Sequence, residues 1–144
     1  MTTSTPRHGG CHCGALRIAF TLQQAAADTS PRACDCDFCR KHGAAWVSDP
    51  AGRLRVRARE GALQTYRQGS ETAQFCLCAH CGVLVIVRFT HEGRVFGAVN
   101  ATCLDDGEAF APAQAASPQR LDAAAKALRW RTLWIPDVEL TTSD

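Results

Sequence analysis

Three thiols, Cys34, Cys36 and Cys39, crowd into the stretch CDCDFC. Two other groups accompany them: CHC at Cys11 and Cys13, and CLCAHC at Cys76, Cys78 and Cys81, with Cys103 alone. Nine cysteines in 144 residues make an odd number, which suits disulfides poorly. The opening stretch MTTSTPRHGG carries no apolar run of the kind an export signal needs, so the thiols are expected to stay reduced in a soluble, cytoplasmic protein. Clustered C-x-C and C-x-x-C pairs hold soft ligands close together across short loops, and metal binding is the chemistry they point to.

Zinc takes four tetrahedral ligands at a structural site and leaves one position open at a catalytic one. Cys11 and Cys13 with Cys78 and Cys81 would close a four-thiolate site, which leaves Cys34, Cys36 and Cys39 as an open three-thiolate site. A rival partition joins Cys36 and Cys39 to Cys78 and Cys81, but their separation exceeds the roughly 15–20 residues usual for such ribbons. It also strands Cys11, Cys13 and Cys34. On a regular strand, residues two apart lie roughly 6.5–7 Å from each other, too far for neighbouring ligands of one ion. Each C-x-C must therefore sit on a bulge or turn, a demand that Gly9, Gly10 and Gly14 suit.

The elements that must position these thiols read as mostly strand. Leu16, Ile18, Phe20 and Leu22 alternate with polar or small residues, and Leu54, Val56 and Ala58 alternate with Arg53, Arg55, Arg57 and Arg59. AAWVSD, beginning at Ala44, reads as a further strand. ALQTYRQ and ETAQFCLC flank a Gly69–Ser70 turn, and GVLVIVRF and RVFGAVNATCL flank a turn at Gly93, giving two hairpins. GVLVIVRF is apolar at nearly every position and is expected at a sheet centre. A helix is expected near 118–130, with Ser117 as N-cap, Pro118 at its first position and Leu121, Ala124, Ala125 and Leu128 along one face. WRTLWIPDVEL closes the chain as an apolar strand or cover segment.

The whole chain, residues 1–144, is expected to form a single domain. A net charge of +2 gives no nucleic-acid footprint, and no apolar run approaches the roughly 18 residues of a spanning helix. The arginine stripe of Arg53 to Arg59 is read as a solvated sheet face rather than an anion surface.

In order along the chain, GGCHCGALRIAF, CDCDFCRKHGA, FCLCAHCGVL and VNATCLDD resemble the glutathione-dependent formaldehyde-activating enzyme family, whose domain is shared with centromere protein V. The likeness runs over about 9–106, and 107–144 is a divergent tail. It implies a mainly β, Mss4-like β-tent of antiparallel strands organised around zinc, here with one short C-terminal helix. It further implies that Cys11, Cys13, Cys78 and Cys81 hold a structural zinc and that Cys34, Cys36 and Cys39 hold a catalytic one. The implied reaction is reversible addition of glutathione to formaldehyde, a carbon–sulfur lyase or synthase activity with a small thiol and an aldehyde as partners. An alternative class is a zinc-stabilised binding domain for a thiol, a protein or nucleic acid, without turnover.

Glutathione carries two carboxylates, so Arg40, Lys41 and His42, directly after Cys39, are candidate substrate-binding residues, with a solvated turn as the plainer reading. His12 and His80 are expected at the surface. Cys76 could exchange for Cys78 in a C-x-C pairing, although CAHCG forms the tighter knuckle, and Cys103 is expected to be a small buried residue. Trp46, Phe75 and Trp130 are assigned to core packing.

Overall fold

The computed structural model describes residues 5–69 and 71–143; Ser70 of the expected Gly69–Ser70 turn and the first residues of the opening stretch lie outside them. Alternation decides which faces meet. Strands β1 (Arg7–Gly10), β2 (Leu16–Thr21), β5 (Arg53–Arg59) and β11 (Val138–Ser143) form one sheet in the order β1-β2-β5-β11. Leu16, Ile18, Phe20, Leu54, Val56 and Ala58 all point inward from it and are buried. Full burial of residues such as Phe20 or Leu54 stabilises by about 1.5–3 kcal/mol each.

The larger sheet contains β3 (Arg32–Cys34), β4 (Trp46–Val47), β6 (Leu63–Tyr66), β7 (Gln74–Cys78), β8 (Leu84–His91), β9 (Arg94–Asn100) and β10 (Gln114–Ala116), in the order β10-β3-β4-β9-β8-β7-β6. The apolar strand β8 is interior to this sheet, as expected, because both of its faces are covered. Val85 and Ile86 join the core beneath the smaller sheet, whereas Leu84, Val87 and Phe89 join a second, aromatic core on the other side. Alternation in β7 sends Cys76 and Cys78 to the first core and Phe75 and Leu77 to the second.

The β8–β9 hairpin turns at Glu92 and Gly93, both with positive φ, the geometry a two-residue hairpin loop requires. Strands β6 and β7 pair as the other expected hairpin. The arginine stripe lies on the outer face of the smaller sheet, where β11 runs parallel to β5 and sets Asp137 against Arg53 and Arg55, and Glu139 against Arg55. Arg53 and Arg55 are thus paired and Arg57 and Arg59 are exposed, a solvated face that agrees with the plainer reading of the stripe.

Two helices cover the aromatic core. The first, α1 (Asp37–His42), is absent from the sequence reading: it is barely more than one turn, too short to display a period. Cys36 caps it by accepting from the Cys39 amide, and Gly43, at φ 62°, ends it in the left-handed region. The second, α2 (Ala123–Leu133), begins later than expected. Pro118–Arg120 form a separate 3-10 turn, Ser117 makes no cap bond, and Asp122 caps α2 by accepting from the Ala125 amide at 2.7 Å. Its expected apolar face is also corrected, since Leu128 is 59% exposed and Trp130 is the residue that packs inward. The mainly β architecture with a C-terminal helix otherwise stands, and β10–β3 and β11–β5 are its parallel pairs.

Candidate metal centres

The first thiol cluster forms where two loops at one end of the fold converge. Cys11 and Cys13 lie in the loop joining β1 to β2, where Gly14 takes a φ of 85°. Gly9 lets β1 approach the chain at Cys103: a Cβ there would sit 2.0 Å from the Cys103 carbonyl oxygen. Cys78 ends β7 and Cys81 lies in the knuckle leading to β8, closed by the Gly82 amide donating to the Cys78 carbonyl at 2.8 Å. The four sulfurs lie within 4.8 Å of one another. Cys11 and Cys13 are 3.7 Å apart and Cys13 and Cys78 are 3.6 Å apart. A tetrahedron with Zn–S of about 2.3 Å has sulfur–sulfur edges of about 3.8 Å, so the spacing fits zinc. Backbone amides complete the surroundings, with Leu16 donating to Cys11 at 3.2 Å and His80 and Cys81 each donating to Cys78 at 3.4 Å.

Cys34, Cys36 and Cys39 make the second cluster, also within 4.8 Å of one another. Cys34 ends β3, Cys36 is the α1 cap and Cys39 lies one turn on, so a strand end followed by a single helical turn brings the three sulfurs together. Cys39 is buried, and Cys34 and Cys36 are half-buried. The Trp46 indole N–H donates to Cys39 at 3.4 Å, the Cys39 amide donates to Cys36 at 3.4 Å, and the Gln68 amide donates to Cys36 at 3.9 Å. Among the described residues no fourth Cys, His, Asp or Glu joins this trio.

Both clusters divide their protons unequally. The Cys39 thiol donates to Cys34 and draws it down to about 6 against the effect of burial, while Cys39 itself is driven far up. Burial opposes ionisation of Cys81, but the Cys13 and Val83 amides and the thiols of Cys78 and Cys11 bring it down to about 6. The Ala15 amide favours a Cys13 thiolate, yet desolvation and the sulfurs of Cys78, Cys11 and Cys81 push it up to about 11. A divalent cation bound by such thiols would displace their remaining protons to solvent, which is the donor chemistry a soft metal site needs.

Cys76 and Cys103 stand outside both groups. Burial pushes each thiol up to about 11, and Cys103 donates to the Leu84 carbonyl at 3.3 Å, so both behave as buried small residues. His12 and His80 are exposed, as expected.

The second cluster opens into a cavity of about 100 Å³. Trp46, Phe75 and Trp130 form its apolar wall, and Trp46 and Phe75 meet at 6.2 Å between ring centroids. These three do pack in the aromatic core, and they also face the cavity. Arg40, Lys41 and His42 are exposed and do not line it. Arg40 pairs with Asp37 at 2.8 Å, and His42 rests against Phe38 with ring centroids 4.7 Å apart. The cations that do line it are Arg32, Lys126 and Arg129. Arg32 donates to the Ser48 hydroxyl at 2.7 Å, and burial together with the charge of Arg129 brings it down to about 10. Sequence reasoning missed this group. Arg32 lies two residues before Cys34 on the same strand, and Lys126, Arg129 and Trp130 recur at helical spacing, so a signal was present but its direction was hidden.

Comparison with known proteins places these features. Residues 6–118 match the family described as glutathione-dependent formaldehyde-activating enzyme. A structural-genomics crystal structure of a Rhodobacter sphaeroides protein is similar to this chain at 30% identity, covering 74% of this chain and 99% of its own, with a TM-score of 0.55.

Proposed function

From the premise that this chain belongs to the glutathione-dependent formaldehyde-activating enzyme family, we propose that it is a carbon–sulfur lyase or synthase that adds a glutathione-type thiol reversibly to formaldehyde or a similar small aldehyde. The observation that carries this reading is the three-sulfur cluster, within 4.8 Å, facing an apolar-walled cavity. Cys34, Cys36 and Cys39 would hold a catalytic zinc, and Cys11, Cys13, Cys78 and Cys81 a structural one, giving two per chain. When bound at the open trio, zinc would keep an incoming thiol as thiolate near neutral pH, where a free thiol of pKa about 8.5 is mostly protonated.

The protein's own residues do the rest. N–H groups of Trp46, Gln68 and the Cys39 backbone point at the sulfurs and fix their direction. Trp46, Phe75 and Trp130 keep bulk water from the sulfur that reacts and leave room for a small carbonyl beside it. In the forward direction the thiolate sulfur bonds to the aldehyde carbon as the carbonyl π bond breaks, and the oxygen takes from solvent a proton equivalent to the one the thiol released; the reverse returns both reactants.

The test is magnetisation exchange between free and thiol-bound carbon-13 formaldehyde in a glutathione mixture, compared with the spontaneous rate. Exchange faster with the zinc-loaded protein, and returned to the spontaneous rate by Cys36→Ser, is the expected result. Equal exchange with and without protein contradicts the reading.

A further inference from the structure

The cavity contains a second chemical feature that neither thiol cluster uses. Arg32 from β3 and Lys126 and Arg129 from α2 line the same cavity as the three sulfurs. Lys126, Arg129 and Trp130 are spaced by three and four residues, so a single face of α2 presents them.

Four cations elsewhere among the described residues pair with carboxylates: Arg7 with Asp106, Arg40 with Asp37, Arg53 with Asp137, and Arg55 with Asp137 and Glu139. Lys126 and Arg129 make no hydrogen bond or ion pair among the described residues, and no Asp or Glu lines the cavity. Arg32 donates to the Ser48 hydroxyl at 2.7 Å, which holds it on the same cavity as Arg129. Ser48 in turn donates to the Leu133 carbonyl at 2.7 Å, tying Arg32 to the C-terminal end of α2. Like charges held together beside Trp46 and Trp130 are unfavourable until an anion lies between them. The sulfurs do not supply enough charge. Three thiolates around a divalent ion leave one negative charge, and the three cations exceed it by two.

We propose that Arg32, Lys126 and Arg129 form a carboxylate subsite that restricts the thiol site to thiols carrying anionic groups, and that α2 is the specificity-determining element of this chain. This rests on the reading of the trio as a thiol site. The helix lies wholly after the matched residues 6–118, so the selectivity it confers belongs to this chain's own tail. An anionic thiol enters with sulfur toward Cys34, Cys36 and Cys39, its apolar stem along Trp46 and Trp130, and its carboxylates toward Arg129 and Lys126.

The experiment is calorimetric binding of glutathione and of its diethyl ester, which keeps the thiol and the amine but has no carboxylate, to the zinc-loaded full chain, in wild type, Arg129→Gln and Lys126→Gln. Both positions are half-buried on the helix, so folding is checked by zinc content and melting temperature alone. Wild type is expected to bind glutathione about tenfold to a hundredfold more tightly than the ester, the range of one or two charge-assisted hydrogen bonds. Each variant is expected to lose about tenfold for glutathione and little for the ester. Equal affinity of wild type for the two thiols overturns the subsite, as does a variant that weakens both thiols equally, or binding of neither. The two readings fail separately. Aldehyde exchange with no preference for anionic thiols leaves the catalytic reading and removes the subsite, whereas charge-selective binding without exchange does the reverse.

Discussion

The indole N–H of Trp46 points at the sulfur of Cys39 across 3.4 Å, joining the aromatic core to the open thiol cluster. A donated N–H withdraws electron density from a thiolate and fixes its orientation. Trp46→Phe keeps the aromatic volume and removes only this donor. In the cobalt-substituted protein its sulfur-to-metal charge-transfer bands are expected to move to longer wavelength, with a stability loss of about 1–2 kcal/mol. Bands that stay in place would show that the contact leaves the sulfur unaffected.

Cys78 is buried and accepts two backbone amides while lying 3.6 Å from Cys13, so it links strand, knuckle and N-terminal loop. Cys78→Ser is expected to lose one zinc per chain and about 4 kcal/mol of stability, near 8–16 °C in melting temperature for a chain of this size. A fall in zinc with an unchanged melting temperature would argue against a structural role for this cluster.

Asp137 joins β11 to β5 by accepting from Arg55 at 3.0 Å and pairing with Arg53 at 3.3 Å. The Arg55 hydrogen bond first, and then the charges of Arg55 and Arg53, hold its carboxyl below the usual value despite the opposing effect of burial. A group whose pKa is lowered by folding adds stability above its unfolded pKa of about 3.9, and that contribution disappears as pH falls through the lower folded value. The pair is half-exposed, so Asp137→Asn is expected to cost under about 1 kcal/mol at pH 7 and nothing once the carboxyl is protonated. Urea unfolding at pH 7 and pH 2 checks this; a difference that persists at pH 2 contradicts it.

Asp122 accepts from the Ala125 amide at 2.7 Å and fixes where α2 begins. Asp122→Ala is expected to cost about 1 kcal/mol, and because the same helix carries Trp130 and Arg129, to weaken glutathione binding while zinc content stays constant. Unchanged binding with the expected loss of stability would detach the helix from the site.

Thiol types and spacing favoured grouping Cys11, Cys13, Cys78 and Cys81 apart from Cys34, Cys36 and Cys39 over the rival that joins Cys36 and Cys39 to Cys78 and Cys81, and the sulfurs do gather in the favoured groups. Strand alternation likewise gave the inward faces of β2 and β5. What stayed hidden was directional. The inner face of α2 carries Lys126 and Arg129 beside Trp130, so its polar and apolar residues do not separate around the helix, and Leu121 and Leu128 suggested the wrong side. Arg40 and Lys41 are adjacent to Cys39 in sequence, but α1 turns them outward, whereas Arg129 reaches the cavity from far along the chain. Sequence adjacency is a poor guide to a site assembled from a strand end, a helical turn and a distant helix.

The most direct measurement is zinc per chain together with glutathione titration, for wild type and Cys36→Ser. The account predicts two zinc ions in the wild type and one in the variant, with glutathione binding lost along with the missing ion. One zinc in the wild type, unchanged by Cys36→Ser, would contradict it.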